Sequence, residues 1–372
     1  MKRLILMTLA IACAGLSLPV LAGHDHDNNR TTACERTAQK MFKSCRFEVN
    51  EELYATTAKC INFGDRDERN ACKELARETY WEDREGCGEQ KEARQDVCEL
   101  LNEDRFDPEA LLDTDNFVLE PNGANSFFSL QPGHTYVARA GEDFEETIVV
   151  TVTDEVREIV GVNCRIVVDI VLLEEDGELE AVEVTDDYYA QALNGDVHYC
   201  GEVARNFEDG ALADLDGSFE AGRDYAKSGI LIKANPLAGD GHRQEYLPGE
   251  AEDVIQYVNG VGNLTAVGAG EGGENPNFRC DDNPNGNCVK TEEFIPPEPD
   301  TGEFKYFKAG TGFVLGVALE DGEPTGERDE VLCIGDSLDV LSDDPDCGIE
   351  DADELLETLC RFSPIAFCQG DD

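Results

Sequence analysis

Residues 147–171, TIVVTVTDEVREIVGVNCRIVVDIV, decide the fold. Ile148, Val150 and Val152 alternate with Thr147, Val149 and Thr151; farther on, Ile166, Val168 and Ile170 alternate with Val167 and Asp169. A period of two marks strands that turn one face to a core. The pattern starts near Phe127 and is punctuated by turn signals at Glu175-Asp176-Gly177, Asn194-Gly195, Asp209-Gly210 and Asp216-Gly217. Short strands at this spacing predict an antiparallel β meander, an open barrel or a sandwich, over residues 127–320. Within it, Val254, Ile255 and Val258 fall at helical spacing and predict a short helix. After Val317 the strands fade into an acidic, Cys-containing tail, 321–372, with a helix around Leu355 to Leu359.

Upstream of this region the period is helical. Cys34, Ala38, Met41, Phe42 and Cys45 share one helical face, as do Cys87, Arg94, Val97, Cys98 and Leu101. Gly64-Asp65 breaks the pattern, and Asp65 with Glu68 forms a capping-box-like start for a second helix. Cysteines eleven apart lie on one face, because three turns take about 10.8 residues. The spacing of Cys34, Cys45, Cys60, Cys72, Cys87 and Cys98 is nearly palindromic. Among the connectivities six cysteines allow, it favours the nested set Cys34–Cys98, Cys45–Cys87 and Cys60–Cys72. The reading is therefore α+β: an amino-terminal disulfide-stapled helical bundle over 34–104, a Pro- and acid-rich linker over 105–126, then the β meander.

The first 22 residues have the layout of a secretory signal peptide. Lys2 and Arg3 precede an apolar run from Leu4 to Leu18, and Val20-Leu21-Ala22 suits a cut before Gly23. This places the mature chain in the periplasm or outside the cell, and 14 of the 15 cysteines remain after the cut. An even number in an exported chain predicts disulfides. The later candidates are Cys164, Cys200, Cys280, Cys288, Cys333, Cys347, Cys360 and Cys368.

Acidic residues number 81 against 30 basic, a net charge of −51. Residues 34–104 hold 12 basic and 18 acidic residues, whereas 105–372 hold 15 and 61. That field repels nucleic-acid backbones and anionic membranes. The partners it leaves open are an apolar small molecule, a divalent cation or a basic protein.

The β region is similar to a group of uncharacterised exported bacterial proteins. The likeness covers roughly residues 125–318. It is carried by Leu130-Gln131-Pro132-Gly133 with Tyr136, by Gly161-Val162-Asn163-Cys164, and by Asp187-Tyr188-Tyr189-Ala190-Gln191 with Asn194-Gly195-Asp196-Val197. Arg243-Gln244-Glu245-Tyr246, Pro248-Gly249-Glu250-Ala251-Glu252-Asp253 and Glu303-Phe304-Lys305-Tyr306-Phe307 continue it. The resemblance implies no activity. Members more often carry an aromatic residue where His198 and His242 stand, which speaks against catalytic histidines. More distantly, the meander resembles the half-barrel of periplasmic lipoprotein carriers, a likeness of fold alone.

Motifs that could carry chemistry are few. Gly335-Asp336-Ser337-Leu338 spells the nucleophile block of a secreted esterase family, but no histidine follows His242 to activate the serine. Asp281, Asn283, Asn285 and Glu292, with Gly286, match the oxygen-ligand spacing of a calcium loop. Pro284 inside the loop and the bracketing Cys280 and Cys288 favour a disulfide-pinned turn over the calcium loop. At the expected new terminus, His24 and His26 offer nitrogen ligands for copper. No catalytic residue stands out. The functional reading is a non-catalytic binding or structural protein, either with an apolar cleft lined by Tyr188, Tyr189, Tyr199 and Tyr246 or as a fully packed sandwich in which those tyrosines are core or edge residues. The alternatives are a hydrolase without a recognisable motif and a metal-handling protein.

Overall fold

The computed structural model describes residues 31–108, 113–123, 125–141, 144–175, 178–208, 210–260, 280, 288–349 and 351–368. The expected signal peptide lies outside them. Two helices, α1 (Ala33–Ile61) and α2 (Arg66–Leu100), form an antiparallel hairpin. Thr32 opens α1 with a capping box: its hydroxyl accepts from the Glu35 amide at 3.0 Å, and its own amide donates to Glu35 Oε2 at 2.6 Å. Asp65 caps α2, accepting from the amides of Asp67 and Glu68. Bridges Cys34–Cys98, Cys45–Cys87 and Cys60–Cys72 are nested between the helices. Among the described residues no helix is long and apolar enough to cross a membrane.

The β region is one antiparallel sheet. Its first strands are β1 (Thr135–Ala140), β2 (Glu146–Ile159), β3 (Val162–Glu175), β4 (Glu178–Gln191) and β5 (Val197–Glu208). Short strands follow: β6 (Ala211–Asp214), β7 (Phe219–Glu220), β8 (Lys227–Ile232), β9 (Gly241–Arg243) and β10 (Glu245–Tyr246). The set ends with β11 (Val254–Tyr257), β12 (Cys288–Phe294), β13 (Thr301–Lys308), β14 (Gly312–Glu320) and β15 (Glu323–Gly335). Neighbours run β10-β8-β5-β4-β3-β2-β1-β15-β14-β13-β12-β11-β9, with β6 and β7 appended to β5. β9 and β10 are two halves of one extended segment. One half pairs with β11 and the other with β8. The Gln244 carbonyl accepts from the Gly229 amide and its own amide donates to Asp253 O. The path of pairing thus returns on itself, and the sheet is a nearly closed barrel.

Three expectations change at this level. The helix at 254–258 is strand β11: its flanks are both buried, so apolar residues fall off strict alternation and imitate a helix over so short a span. The sheet does not fade near 320, because Glu323–Gly335 forms β15 and closes the meander between β1 and β14. Its acid-rich sequence disguised it, since Glu323, Glu327 and Glu330 alternate with other polar residues along a strand partly open to water. Within the stretch expected as a linker, Phe117 bridges Ala192 and is buried with Ile159 and Val162, while the Pro121 carbonyl accepts from Arg165.

Beyond β15 the chain forms α3 (Val340–Asp343), α4 (Ala352–Phe362) and α5 (Pro364–Phe367). Leu341, Leu355, Leu359 and Phe367 pack on Val137, Val149, Val168 and Ile170, covering the outer face of β1–β3. Bridges Cys333–Cys347 and Cys360–Cys368 pin this cover. The hairpin is attached by a buried fork: Arg94 Nε and Nη2 donate to the Glu252 carboxylate at 2.6–3.0 Å. Beside it, Arg243 donates to Glu103 at 3.2 Å and lies over the Tyr246 ring.

Candidate functional site

The residues alternating with the covered outer face point into the barrel. Toward one end they are apolar: Phe127, Leu130, Val152, Val167, Ile232 and Tyr257 form a buried cluster. Farther along, the wall changes character around a cavity of about 210 Å³. Phe128, Tyr136, Ile148, Leu231, Phe307 and Phe313 make its apolar side. Asp169, Glu293, Glu303 and Asp329 also line it, with Lys305 the one cation in that lining.

These carboxylates belong to a larger belt. Asp187 on β4 and Glu202 on β5 continue it past Asp169 on β3; Glu245 on β10 and Asp253, one residue before β11, carry it across the closing segment. Glu293 on β12, Glu303 on β13 and Asp329 on β15 complete it. Two of the pairs stand directly opposite across neighbouring strands, Asp187 with Glu202 and Glu293 with Glu303. Like charges in that position destabilise a sheet. Lys305 Nζ relieves one pair, at 2.9 Å from Glu293 and 3.3 Å from Glu303. The Tyr199 hydroxyl donates to Asp187. Gly316 leaves room for this crowding, since a Cβ there would lie 2.1 Å from Glu303 Oε1.

Burial raises the pKa of Asp169, Asp187, Glu202, Glu245, Asp253, Glu303 and Asp329, and neighbouring acids add to it. Burial, partly offset by the tyrosine hydroxyls, brings Asp187 to about 7. Glu303 rises to about 7 and Asp253 to about 6, in both cases against the pull of Lys305. Asp169, Glu202 and Glu245 are held well above the carboxylate range by burial and by neighbouring acids. Burial works against the charge of Lys305, yet Glu293 and Glu303 outweigh it and its pKa rises. Two buried oxygens have no hydrogen-bond partner among the described residues: Asp169 Oδ1 and Glu245 Oε2. Glu245 is 5% exposed.

The residues singled out from the sequence are placed elsewhere. His24, His26, Asp281, Asn283 and Asn285 lie outside the described residues. Glu292 is half-buried on strand β12, with its pKa raised by burial. Cys280 is bridged to Cys288, the residue that opens β12, and Cys164 to Cys200. Ser337 donates to Asp339 at 3.0 Å, while His134 Nδ1 stands 3.9 Å from Asp336. Burial keeps His198 and His242 neutral, at about 4 and about 3. Tyr189 lines the cavity and Tyr199 stacks against it, ring centroids 4.8 Å apart. Tyr188 lies instead in the outer cluster with Cys164 and Cys200, under the Arg157 guanidinium, and Tyr246 packs on Phe106. Tyr188 and Tyr189, consecutive on β4, face opposite sides by strand alternation, and the bulge across from them leaves Cys200 as the extra residue of β5, so that Tyr199 pairs with Tyr189. Among the described residues, no three His, Cys, Asp or Glu side chains converge as metal ligands.

No protein-family model matches the chain, and no curated protein matches it significantly. A solved structure from Bacteroides fragilis NCTC 9343, titled a "putative exported protein with YmcC-like fold", is similar at 14% identity with a TM-score of 0.24, covering 57% of this chain and 100% of that one. Shared topology needs a higher score, and the fold described above rests on the strand pairing alone.

Proposed function

We propose that this chain is an exported, non-catalytic binding protein that holds a small guest with an apolar body in its barrel. The observation that supports this reading is the cavity walled by Phe128, Ile148, Leu231, Phe307 and Phe313. Small-molecule sites combine such an apolar wall with a few converging polar groups. Export is supported by the signal-peptide layout and by seven bridges, a chemistry of oxidising compartments. A serine nucleophile at 337 has no support, since its hydroxyl engages Asp339 rather than a histidine.

Native mass spectrometry of the mature protein from its own host should show an added small-molecule mass. Ile148→Trp, which adds bulk to the cavity wall, should lose that mass while keeping the circular dichroism of the parent. A guest-free parent that also fails to take up any apolar or amphipathic probe would overturn the reading.

A further inference from the structure

We infer that the recognition group of the guest is an organic cation, an ammonium carried on an apolar or aromatic body, which the acid belt neutralises inside the barrel. This deepens the preceding reading and rests on it.

Three observations carry it. The belt has eight carboxylates, Asp169, Asp187, Glu202, Glu245, Asp253, Glu293, Glu303 and Asp329, against Lys305 as the one cation that the structure places among them. Lys305 engages Glu293 and Glu303, and among the described residues the arc of Asp169, Asp187, Glu202 and Glu245 has no cation of its own. Secondly, an unpartnered oxygen falls on that arc and on the cavity wall, Asp169 Oδ1; Glu245 Oε2 is a second, on a carboxyl that otherwise hydrogen-bonds with Asp253. A buried acceptor left without a donor costs roughly 1–3 kcal/mol, so a donor that arrives with the guest is the economical solution. Thirdly, the same lining carries Phe128, Tyr136, Phe307 and Phe313 among the acids, and ring faces attract cations. Such a lining suits an ammonium with a hydrocarbon body. A bare divalent ion would need converging oxygen ligands, and the described residues present no such group.

The belt is also the reason that the cation should be held only above mildly acid pH. Asp169, Glu293, Glu303, Asp329, Lys305, Tyr136 and Tyr189 line the cavity, while Asp187, Glu202, Glu245, Asp253, Glu183 and Tyr199 act on them from the flanking strands; burial and the nearby acids keep the three tyrosines neutral. Protonating the carboxylates removes the attraction for an ammonium that itself stays charged through this range.

The test uses the full mature chain and a matched pair of probes, benzylammonium, whose N–H groups can donate to the unpartnered carboxylate, and its neutral carbon isostere ethylbenzene, followed by saturation-transfer NMR and calorimetry. The ammonium should bind one-to-one at pH 8, about tenfold or more tighter than the isostere, the size of one desolvated charge contact. Its binding should be lost at pH 5. Asp169→Asn should weaken it about tenfold, and Lys305→Met should tighten it, because the guest then takes over the neutralising role. Equal binding of the two probes would overturn the cation and leave the guest-binding barrel standing. Binding of neither probe by the folded chain would overturn both. Calcium binding that displaces the ammonium and survives Asp169→Asn would assign the belt to a metal and overturn the inference.

Discussion

Gly229 sits where β8 meets the closing segment, and a Cβ built there would lie 2.1 Å from the Arg243 carbonyl oxygen and 2.6 Å from that of Gln244. The obstacle is backbone, so nothing flexible can yield. Gly229→Ala should therefore pry the seam apart and cost about 1–3 kcal/mol, read as a lowered urea midpoint at unchanged slope. At Gly316 the nearest atom is the tip of Glu303, which can swing into the cavity, so alanine there should cost less. The Arg94–Glu252 fork makes the opposite kind of test, since both side chains are at least nine-tenths buried. Arg94→Ala strands a carboxylate and should cost about 3–5 kcal/mol, whereas replacing both partners with methionine should recover most of it. Asp169 shows what a single residue could and could not disclose. The alternation in IVVDIV assigned it to the polar side of β3, opposite Val168 and Ile170. Its destination was hidden, because a carboxylate among many acids looks the same on a wet face and inside a barrel.

Among the elements, the hairpin depends most on its bridges. Its distal half buries only Val49, Cys60, Ala76 and Cys87, while Phe47, Tyr54, Leu75 and Trp81 are exposed. Helices with so little packing are marginal in water, and the disulfides stand in for a core. Removing Cys45–Cys87 as Cys45→Ser/Cys87→Ser opens a link of 42 residues, a loss of about 2–4 kcal/mol. Hydrogen exchange should then quicken in residues 47–84 and stay slow in β2–β5; uniform protection across the hairpin would contradict this account. The helices were legible because cysteine spacing on a helical face carries geometry. Strands β11 and β15 were not. One is buried on both flanks and the other is largely acidic, so neither shows the contrast between faces on which periodicity depends.

For the whole molecule, the acid belt makes an unusual pH profile. Asp187 and Glu303 at about 7 and Asp253 at about 6 have folded pKa values above their unfolded ones. Below about pH 4 both states are protonated. As pH rises, the unfolded chain ionises first, so the folded state binds more protons and stability falls until the folded values are passed. Asp107 and Asp240, depressed by Lys227 and Lys233 among other contacts, act with the opposite sign as pH drops through the carboxylate range. His198 and His242, held neutral by burial at about 4 and about 3, oppose the belt from about pH 6.5 downward, two groups against the more numerous raised acids. The guest-free protein should therefore melt at a higher temperature at pH 5.5 than at pH 8, by scanning calorimetry in salt sufficient to screen surface repulsion. Asp187→Asn/Glu303→Gln should flatten the profile. A parent that melts equally at both values would show that the belt carries no such strain.

Residue order alone determined the two regimes of this chain, helical then β, because each rests on local periods of 3.6 and 2. Cysteine spacing likewise pointed to nested staples, since rise per residue converts directly into distance along a helix. Which face of the sheet looks inward was decided only by the tertiary structure. The carboxy-terminal helices cover the outside of β1–β3, so the apolar alternation there reports the cover and not the barrel. Closure through residues 241–246 then gathers acids from strands far apart in sequence into one enclosed space. No local pattern encodes that meeting, because it depends on long-range pairing that brings the two ends of the sheet together.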